Sequence, residues 1–499
     1  MSSPASLPIE LRIHPTGWKS GPESERYPLS LMGHIMPKVY VLVAEVFALP
    51  DLTDNDVTVQ NMTAGLEFAI SQFPILAGVL EMDTATGRMW VARQRDSTVS
   101  LHVKYMLREG EFPSYKELAE KEFPASSLTG SQLLPDFVTA KQLHSPLGDN
   151  NEEGIAVAAF QLNFIRGGLI IGLAIHHSVS DGPGCDGFLT TWAENSSAAA
   201  KAAPFIPAKQ HFSVHGTPLD VESPTRVRME ELERTLAVVR DAGGPMAPPP
   251  AGFKMPSLMA QMWHFPKSKI DLLKTKASSE GVNNWISTYD AIIAVLWSSV
   301  TRSKLEMLNP DLESKATLVH AVDTRKVWNP PLPERFLGVG AAAARCEPLT
   351  VNDIITGNLS RLATEVRASI KSMTPEYLTS LLEWVAGHED KRWLEISINS
   401  FLGMDFGASS WQGMTAYETH DFGFGLPKAL RWPSPAFEGF VLLYPSRAEA
   451  NDATDDEGVE VCVCLEENCQ RRLMNDPVLL GYAQPRGLGC RASTQAVTA

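Results

Sequence analysis

LIIGLAIHHSVSDGPG, residues 169–184, begins as an unbroken aliphatic run and ends in two histidines and a turn. Leu169 to Ile175 reads as a buried strand, because an apolar run of that length bounded by turn residues has no exposed face. His176 and His177 stand where that strand leaves the core, and Asp181-Gly182-Pro183-Gly184 is turn chemistry. From Cys185 to Ala198 the apolar residues Phe188, Leu189 and Trp192 fall at helical spacing. The histidines therefore lie on a strand-to-helix connection. Upstream, IAVAAFQLNFI (155–165) is a second strand, and Arg166-Gly167-Gly168 between the two predicts a β-hairpin.

Working outward, KVYVLVAEVFAL (38–49) alternates as a strand, Val57 to Ile70 has helical apolar spacing, and FPILAGVLE (73–81) joins a helix stop to a further strand. STYDAIIAVLWSSVTRSK, from Ser287, is a helix with a Ser or Thr cap. MWHFPKSKIDLLKTKAS (262–278) predicts a strand and then an amphipathic helix starting near Ser268. FVLLYP (440–445) and VEVCVCL (459–465) are strands, and the acidic run in the connection between them is expected to be a solvated loop tip. PMAPPPAGFKMP (245–256) reads as a semi-rigid proline-rich linker. The whole is a mixed α/β chain.

A neutral imidazole accepts a proton near neutral pH, so a histidine at a strand end can activate a hydroxyl or an amine toward a carbonyl. Successive strand side chains point to opposite faces, so only one of His176 and His177 can serve a given cavity. Two other readings compete on spacing alone. Both histidines can be satisfied polar groups closing a strand, and His177 with Asp181 can be half of a metal site. The metal reading lacks a third ligand at suitable spacing nearby, and a catalytic zinc needs three.

With 499 residues, the chain exceeds one ordinary core and predicts two or three domains. The formal net charge of −15 opposes nucleic-acid binding, which needs concentrated positive charge. No apolar run approaches the roughly 20 residues that span a bilayer, so no membrane partner is expected. MSSPASLPIELRIHP (1–15) lacks the basic-then-apolar layout of a signal peptide. Six cysteines without paired spacing suit a reducing compartment, and a cytoplasmic location is expected.

Six segments in order resemble one family, the BAHD acyltransferases, which transfer acyl groups from coenzyme A thioesters. His177-Ser178-Val179-Ser180-Asp181-Gly182 matches its H-x-x-x-D-G, and Asp421-Phe422-Gly423-Phe424-Gly425 its D-F-G-W-G with Phe for Trp. AVDTRKVWNPPLPERFLG (321–338), STYDAIIAVLW (287–297), FPILAGVL (73–80) and SSW (409–411) are similar to its remaining signatures. QLNFIRGGLI (161–170) resembles the fungal branch containing trichothecene 3-O-acetyltransferase and fungal alkaloid acetyltransferases. Val339 departs from the pattern, standing where most members carry Asn.

The resemblance implies two chloramphenicol-acetyltransferase-like domains, each a mixed β-sheet with flanking helices, and a tunnel at their interface. Domain one is placed at 1–215, a crossover linker at 216–252 and domain two at 253–499. It further implies that His177 is the general base of an O-acetyl transfer from acetyl-CoA to an alcohol of a fungal alkaloid or terpenoid. Acetyl-CoA is then a co-substrate, with no bound cofactor or metal, in a monomer. Asp181 is expected to pair with Arg325 and lock the loop that aims His177. Ser409 and Trp411 are candidate donors to the oxyanion or the acceptor. Gly182, Asp421, Gly423 and Gly425 are expected to be structural supports. Lys267, Lys269 and Lys274 (with Lys276), Ser287 and Thr288 are the coenzyme A candidates. Direct transfer is expected; Cys185, opening a helix where the dipole favours a thiolate, is the side chain a covalent route would use. The competing reaction class is amide formation, by an N-acyltransferase or a condensation-type enzyme with a carrier-bound donor. A free-standing chain of this length with D-F-G-F-G argues against the carrier-bound form.

Overall fold

A computed structural model describes residues 8–50, 52–140, 154–208, 212, 214, 216–244, 252–278, 285–433, 437–448 and 454–491. The hairpin anchors the first sheet. In chain order the first half contributes β1 (Ile9–Ile13), α1 (Leu31–Ile35), β2 (Tyr40–Ala48), α2 (Asn55–Gln72), β3 (Val99–Met106), β4 (Ala158–Ile165), β5 (Gly168–His176) and α3 (Gly182–Ala200). Ile165 pairs with Gly168 and Ala158 with Ile175, so β4 and β5 form the expected antiparallel hairpin. β2 runs antiparallel to β5, with Tyr40 opposite His176. Every residue of β4 and β5 is buried, which is why neither strand alternates in sequence.

The second half contributes β6 (Leu258–Phe265), α4 (Lys267–Ala277), α5 (Thr288–Leu308), β7 (Leu318–Asp323), β8 (Ala341–Arg345), α6 (Leu359–Lys371), α7 (Pro375–Gly387), β9 (Phe406–Ser410), α8 (Ala416–Thr419), β10 (Ala429–Arg431), β11 (Phe440–Leu443), β12 (Val459–Glu466) and β13 (Gln484–Arg491). Seven of these strands form a second mixed sheet in the order β8-β7-β9-β11-β12-β6-β13. The first sheet has six strands in the order β1-β3-β4-β5-β2-β10. Its last strand comes from the second half of the chain: Leu430 lies opposite Glu45. Ser287 caps α5 with a reciprocal capping box to Asp290, as its sequence suggested.

α2 and α3 lie side by side on the first sheet. Trp192 donates from Nε1 to the Met62 carbonyl at 2.9 Å, and a Cβ on Gly65 would come within 2.5 Å of the Ser196 nitrogen. Phe160, Phe188 and Trp192 are fully buried beneath them, each stabilising the fold by about 1.5–3 kcal/mol or more. A second core surrounds Trp263, Trp297 and Val461. A third joins Met32 and Ile35 of α1 to Trp328, Phe336 and Trp384, so α1 is packed by the second half of the chain. Val339 is buried in that third core.

One expectation changes in part. Glu457, in the acidic connection 446–458, is not solvated: it is buried, and Oε1 accepts from Arg486 at 2.9 Å and lies 3.4 Å from His264. Asp456 beside it accepts from the Ser268 N–H and hydroxyl, both at 2.7 Å, at the start of α4. Asp455 and Asp456 are exposed, as expected; among the described acids of this connection Glu457 alone is buried against a cation, which composition does not reveal. The segment 216–244 holds a capped helix, Arg226–Thr235, and a strand, Val239–Asp241. Residues 245–251 of the proline-rich stretch lie outside the described residues.

Candidate active site

β5 delivers His176 and His177 to its end, and the chain then folds into a tight turn. The Val179 and Ser180 N–H groups both donate to the His176 carbonyl, at 2.8 and 3.1 Å. The His177 N–H donates to the Val39 carbonyl at 2.7 Å, holding the turn to the chain entering β2. Below the turn, α1 comes so close that a Cβ on Gly33 would stand 2.2 Å from the Ser178 carbonyl oxygen.

The two imidazoles differ in what their nitrogens do. His176 is buried, and its Nδ1 is 3.2 Å from the Ser178 N–H. A backbone N–H can only donate, so Nδ1 must offer its lone pair there, and the proton sits on Nε2. His177 Nδ1 lies 3.0 Å from the Ser180 carbonyl. A carbonyl can only accept, so this Nδ1 carries the proton and Nε2 keeps a basic lone pair. Only His177, half-buried, presents a base. Burial pushes both rings below the usual histidine value: His176 to about 3, by desolvation and then the Lys38 charge; His177 by desolvation, with Asp181 and the Ser180 carbonyl opposing. A histidine so held is neutral at physiological pH.

Asp181 turns away from the histidines and caps α3, its Oδ1 accepting from the Gly184 N–H at 3.0 Å. Arg325 meets it in a two-pronged pair, Nη2 to Oδ1 at 2.7 Å and Nη1 to Oδ2 at 3.1 Å. The Gly340 and Ala341 N–H groups also donate to Oδ2, at 2.8 Å each. Arg325 spends its other donors on Asp323 and on the Phe336 and Gly338 carbonyls. Burial alone would raise the Asp181 carboxyl, but Arg325 and these donors hold it below the usual carboxylate range. Two halves of the chain are thus joined directly behind the histidine turn.

Gly182 faces Trp411: a Cβ there would stand 2.8 Å from the indole Nε1. Trp411 is buried, its N–H donates to Leu443, and its ring meets Tyr444 edge-on at 5.8 Å. Ser409 lies two residues earlier at the end of β9, half-buried. The structure therefore gathers His177, Asp181, Arg325, Gly182 and Trp411, and Ser409 lies two residues before Trp411 in the chain.

It does not gather the rest. Asp421 Oδ1 accepts from the Gly423 and Gly425 N–H groups at 2.8 and 2.9 Å, closing the D-F-G-F-G loop on itself. Both glycines have φ near +105°, a conformation that excludes most side chains. A Cβ on Gly423 would touch Ala200, at the far end of α3. That helix has 19 residues and is roughly 28 Å long at about 1.5 Å per residue, so this loop stands well away from His177. Phe424, the replacement for Trp, packs edge-on against Phe47 at 5.2 Å and stacks beside Phe422. Lys267, Lys269 and Lys276 are exposed on α4 and Lys274 is half-buried. Ser287 accepts the Asp290 N–H as a helix cap, and Thr288 begins α5.

Cys185 is fully buried, with Sγ 4.0 Å from Ser180 Oγ. Burial, reinforced by the Asp181 charge, pushes its thiol far above the usual cysteine value, the opposite of an activated thiolate. Glycines 33 and 340, which let α1 reach Ser178 and the Asp181–Arg325 pair close, carried no sequence signal. Among the described residues no group of three or more His, Cys, Asp or Glu is placed to hold a metal ion, and no helix is long and apolar enough to cross a membrane.

Comparison with known proteins adds the following. The profile of the Transferase family matches residues 125–477, and the trichothecene 3-O-acetyltransferase-like N-terminal domain matches residues 39–194. The acetyltransferase FGR3 of Gibberella zeae is 29% identical over 490 residues, covering 95% of this chain and 94% of its own. The O-acetyltransferase dmxR13 of a Cryptosporiopsis species is 24% identical, over 89% of this chain and 94% of its own. Among solved structures, TRI101 of F. sporotrichioides, crystallised with coenzyme A and T-2, superposes with a TM-score of 0.74 at 20% identity, over 93% of this chain and 100% of that one. Vinorine synthase follows the same fold, with a TM-score of 0.65 at 17% identity, over 96% and 99% of the two chains.

Proposed function

The chain belongs to the Transferase family, in the fungal BAHD branch, and from that premise we propose that it acetylates a hydroxyl group of a fungal secondary metabolite, using acetyl-CoA, with His177 as general base. Acyl transfer from coenzyme A is the reaction class of this enzyme; the alcohol acceptor, the acetyl group and the base are our reading. The observation that carries it is the Nδ1–H of His177 held on the Ser180 carbonyl, which leaves Nε2 as the one unspent imidazole lone pair at the turn. The base removes the acceptor proton as its oxygen attacks the thioester carbonyl. The same nitrogen then returns that proton to the departing thiolate. No acyl-enzyme is needed, because binding both substrates at once supplies the advantage of proximity.

Asp181 and Arg325 act on the loop and not on substrate, since both charges are consumed by each other and by backbone groups. We assign Ser409 and Trp411 to the oxyanion or acceptor side, and Lys267, Lys269, Lys274, Ser287 and Thr288 to coenzyme A. We retain the division 1–215, 216–252 and 253–499, a monomeric chain and a cytoplasmic location as parts of this proposal. The test supplies acetyl-CoA and a panel of small alcohols without any carrier protein, and follows release of free thiol. Acceptor-dependent release, lost in His177→Ala, is expected. Turnover only with a carrier-bound donor would replace this reading with the amide-forming one. Radiolabel from acetyl-CoA retained on the denatured protein would overturn direct transfer.

A further inference from the structure

A second buried ionic group lies on the same helix as the histidine turn, and the chemistry above makes no use of it. His420 is wholly buried between two acids, with Nδ1 2.6 Å from Glu45 Oε1 and Nε2 3.3 Å from Asp186 Oδ1. Glu45 sits in the middle of β2, paired in register with Ile171 on one side and Leu430 on the other. Its Oε2 has no hydrogen-bond partner among the described residues. An acid placed alone in such a strand is costly to bury, so His420 is what makes Glu45 tolerable.

We propose that His420, bridging Glu45 of β2 and Asp186 of α3, is a positioning residue of the transfer reaction, holding the segment 411–420 so that Trp411 meets the loop carrying His177. This inference rests on Trp411 belonging to the transfer centre. The links are short and continuous. Asp186 accepts the Thr415 N–H at 2.9 Å and the Thr415 hydroxyl at 3.1 Å. Thr415 and Thr419 exchange a hydroxyl bond at 2.8 Å, and Thr419 reaches Thr190 of α3 at 3.1 Å. The Met414 N–H donates to the Trp411 carbonyl at 2.8 Å, and Trp411 abuts Gly182. His420 also fixes the start of the D-F-G-F-G loop, whose Phe422 packs on Phe47 and Trp192. One side chain thereby ties the first sheet, the first turns of α3 and a segment from the other half of the chain.

The ring must be charged to do this. Nδ1 donates to Glu45; Nε2 makes no aligned hydrogen bond, and its approach to within 3.3 Å of Asp186 Oδ1 becomes an ion pair only when the ring carries a second proton. Burial opposes the charge, but Glu45 and Asp186 outweigh it and push His420 up to about 10.

Two measurements decide the matter. In protein labelled with ¹⁵N-histidine, ring correlation spectra at pH 8 should show one imidazole protonated on both nitrogens, and this signal should vanish in His420→Gln. Absence of a doubly protonated ring in the wild type at that pH overturns the bridge, with no variant required. The second uses Glu45→Gln with His420→Gln, which removes a negative and a positive charge together and so keeps the buried charge balanced. Its kcat for acetyl transfer to the best alcohol should fall by about tenfold or more, as misplacement of reacting groups does, while its Kd for coenzyme A stays within about twofold. A kcat equal to the wild type, or kcat and coenzyme A affinity lost together, removes the positioning role. A wild type that acetylates no alcohol sinks the functional reading and the positioning role with it, and leaves the protonated bridge standing or falling on the spectra.

Discussion

Cutting either end of the Asp181–Arg325 pair should reveal an asymmetry that follows from who else holds each partner. In Asp181→Ala the guanidinium keeps Asp323, which is 44% exposed, and two carbonyls, but loses both contacts to its buried partner. Removing one member of a buried pair costs about 3–5 kcal/mol, and the remaining acceptors place this variant near the lower end. In Arg325→Ala the carboxylate keeps three backbone donors, Gly184, Gly340 and Ala341, so roughly 2 kcal/mol is expected from lost hydrogen bonds to a charged group. The double variant strands neither charge and should cost at least about 1 kcal/mol less than the sum. Urea unfolding reads this as shifts of midpoint at constant slope, and transfer assays should show both single variants impaired because the turn at 177–184 loses its anchor. The acid dependence has a definite sign. Asp181 is held below its ordinary value, so its contribution is full above the unfolded carboxylate value near 3.9 and is lost as pH falls through the folded one. The gap between wild type and Asp181→Ala should therefore close only in strong acid. Additivity within about 0.3–0.5 kcal/mol, or equal losses from the two single variants, would refute this account of the loop.

His177→Ala should lower transfer by about 10²–10⁴ with an unchanged melting curve, while His176→Ala keeps far more activity; the reverse order in a rate assay would put the base on the wrong ring. Gly182→Ala drives a methyl to 2.8 Å from the Trp411 indole, so a loss of about 1–3 kcal/mol by overpacking and a fall in kcat are expected, both absent if Trp411 moves freely. Because burial holds His177 below the usual histidine value, the acidic limb of kcat/KM should have its midpoint below pH 6.5; a midpoint above 7 would contradict a desolvated neutral base.

Much of this site is local in sequence, and that part was legible. The aliphatic run, the turn residues and the helical spacing after Cys185 are all contained in residues 169–198, and they dictate a strand, a polar turn and a helix without reference to the rest of the chain. The capping of α5 by Ser287 is local too. The partnership of Asp181 with Arg325 spans 144 residues, and became readable only through resemblance to a family in which both motifs occur. What stayed hidden joins residues that no short pattern connects. Gly33 is one glycine among 35, and its closeness to Ser178 exists only once α1 packs on the turn. Glu45 and His420 are 375 residues apart. There was a signal for one of them: a single acid inside YVLVAEVFA demands a buried cation somewhere, although nothing in the strand says which. Glu457, at the end of the acidic connection, misled for the complementary reason, since composition reports charge and not whether Arg486 waits to receive it; Asp455 and Asp456 are exposed, as composition suggests.

The protein offers its own control for what makes a histidine basic. His320, on β7, is buried beside Tyr289 and Ser369, with Nδ1 2.9 Å from the Tyr289 hydroxyl and Nε2 2.8 Å from Ser369 Oγ. By residue type this resembles a base next to a nucleophile. Ser369, however, already donates to the Val366 carbonyl at 2.8 Å, so its oxygen can only accept from Nε2–H, and Nδ1 must accept from the tyrosine. Both nitrogens are consumed, and the serine proton points away from the ring. Desolvation pushes His320 to about 4, which keeps it neutral without making it reactive. His176 is neutral in the same sense, with its lone pair spent on an N–H. His177 alone has its proton spent on a carbonyl and its lone pair unspent. A depressed pKa is common to all three rings; the direction in which one backbone group points is what separates a base from two pieces of structure.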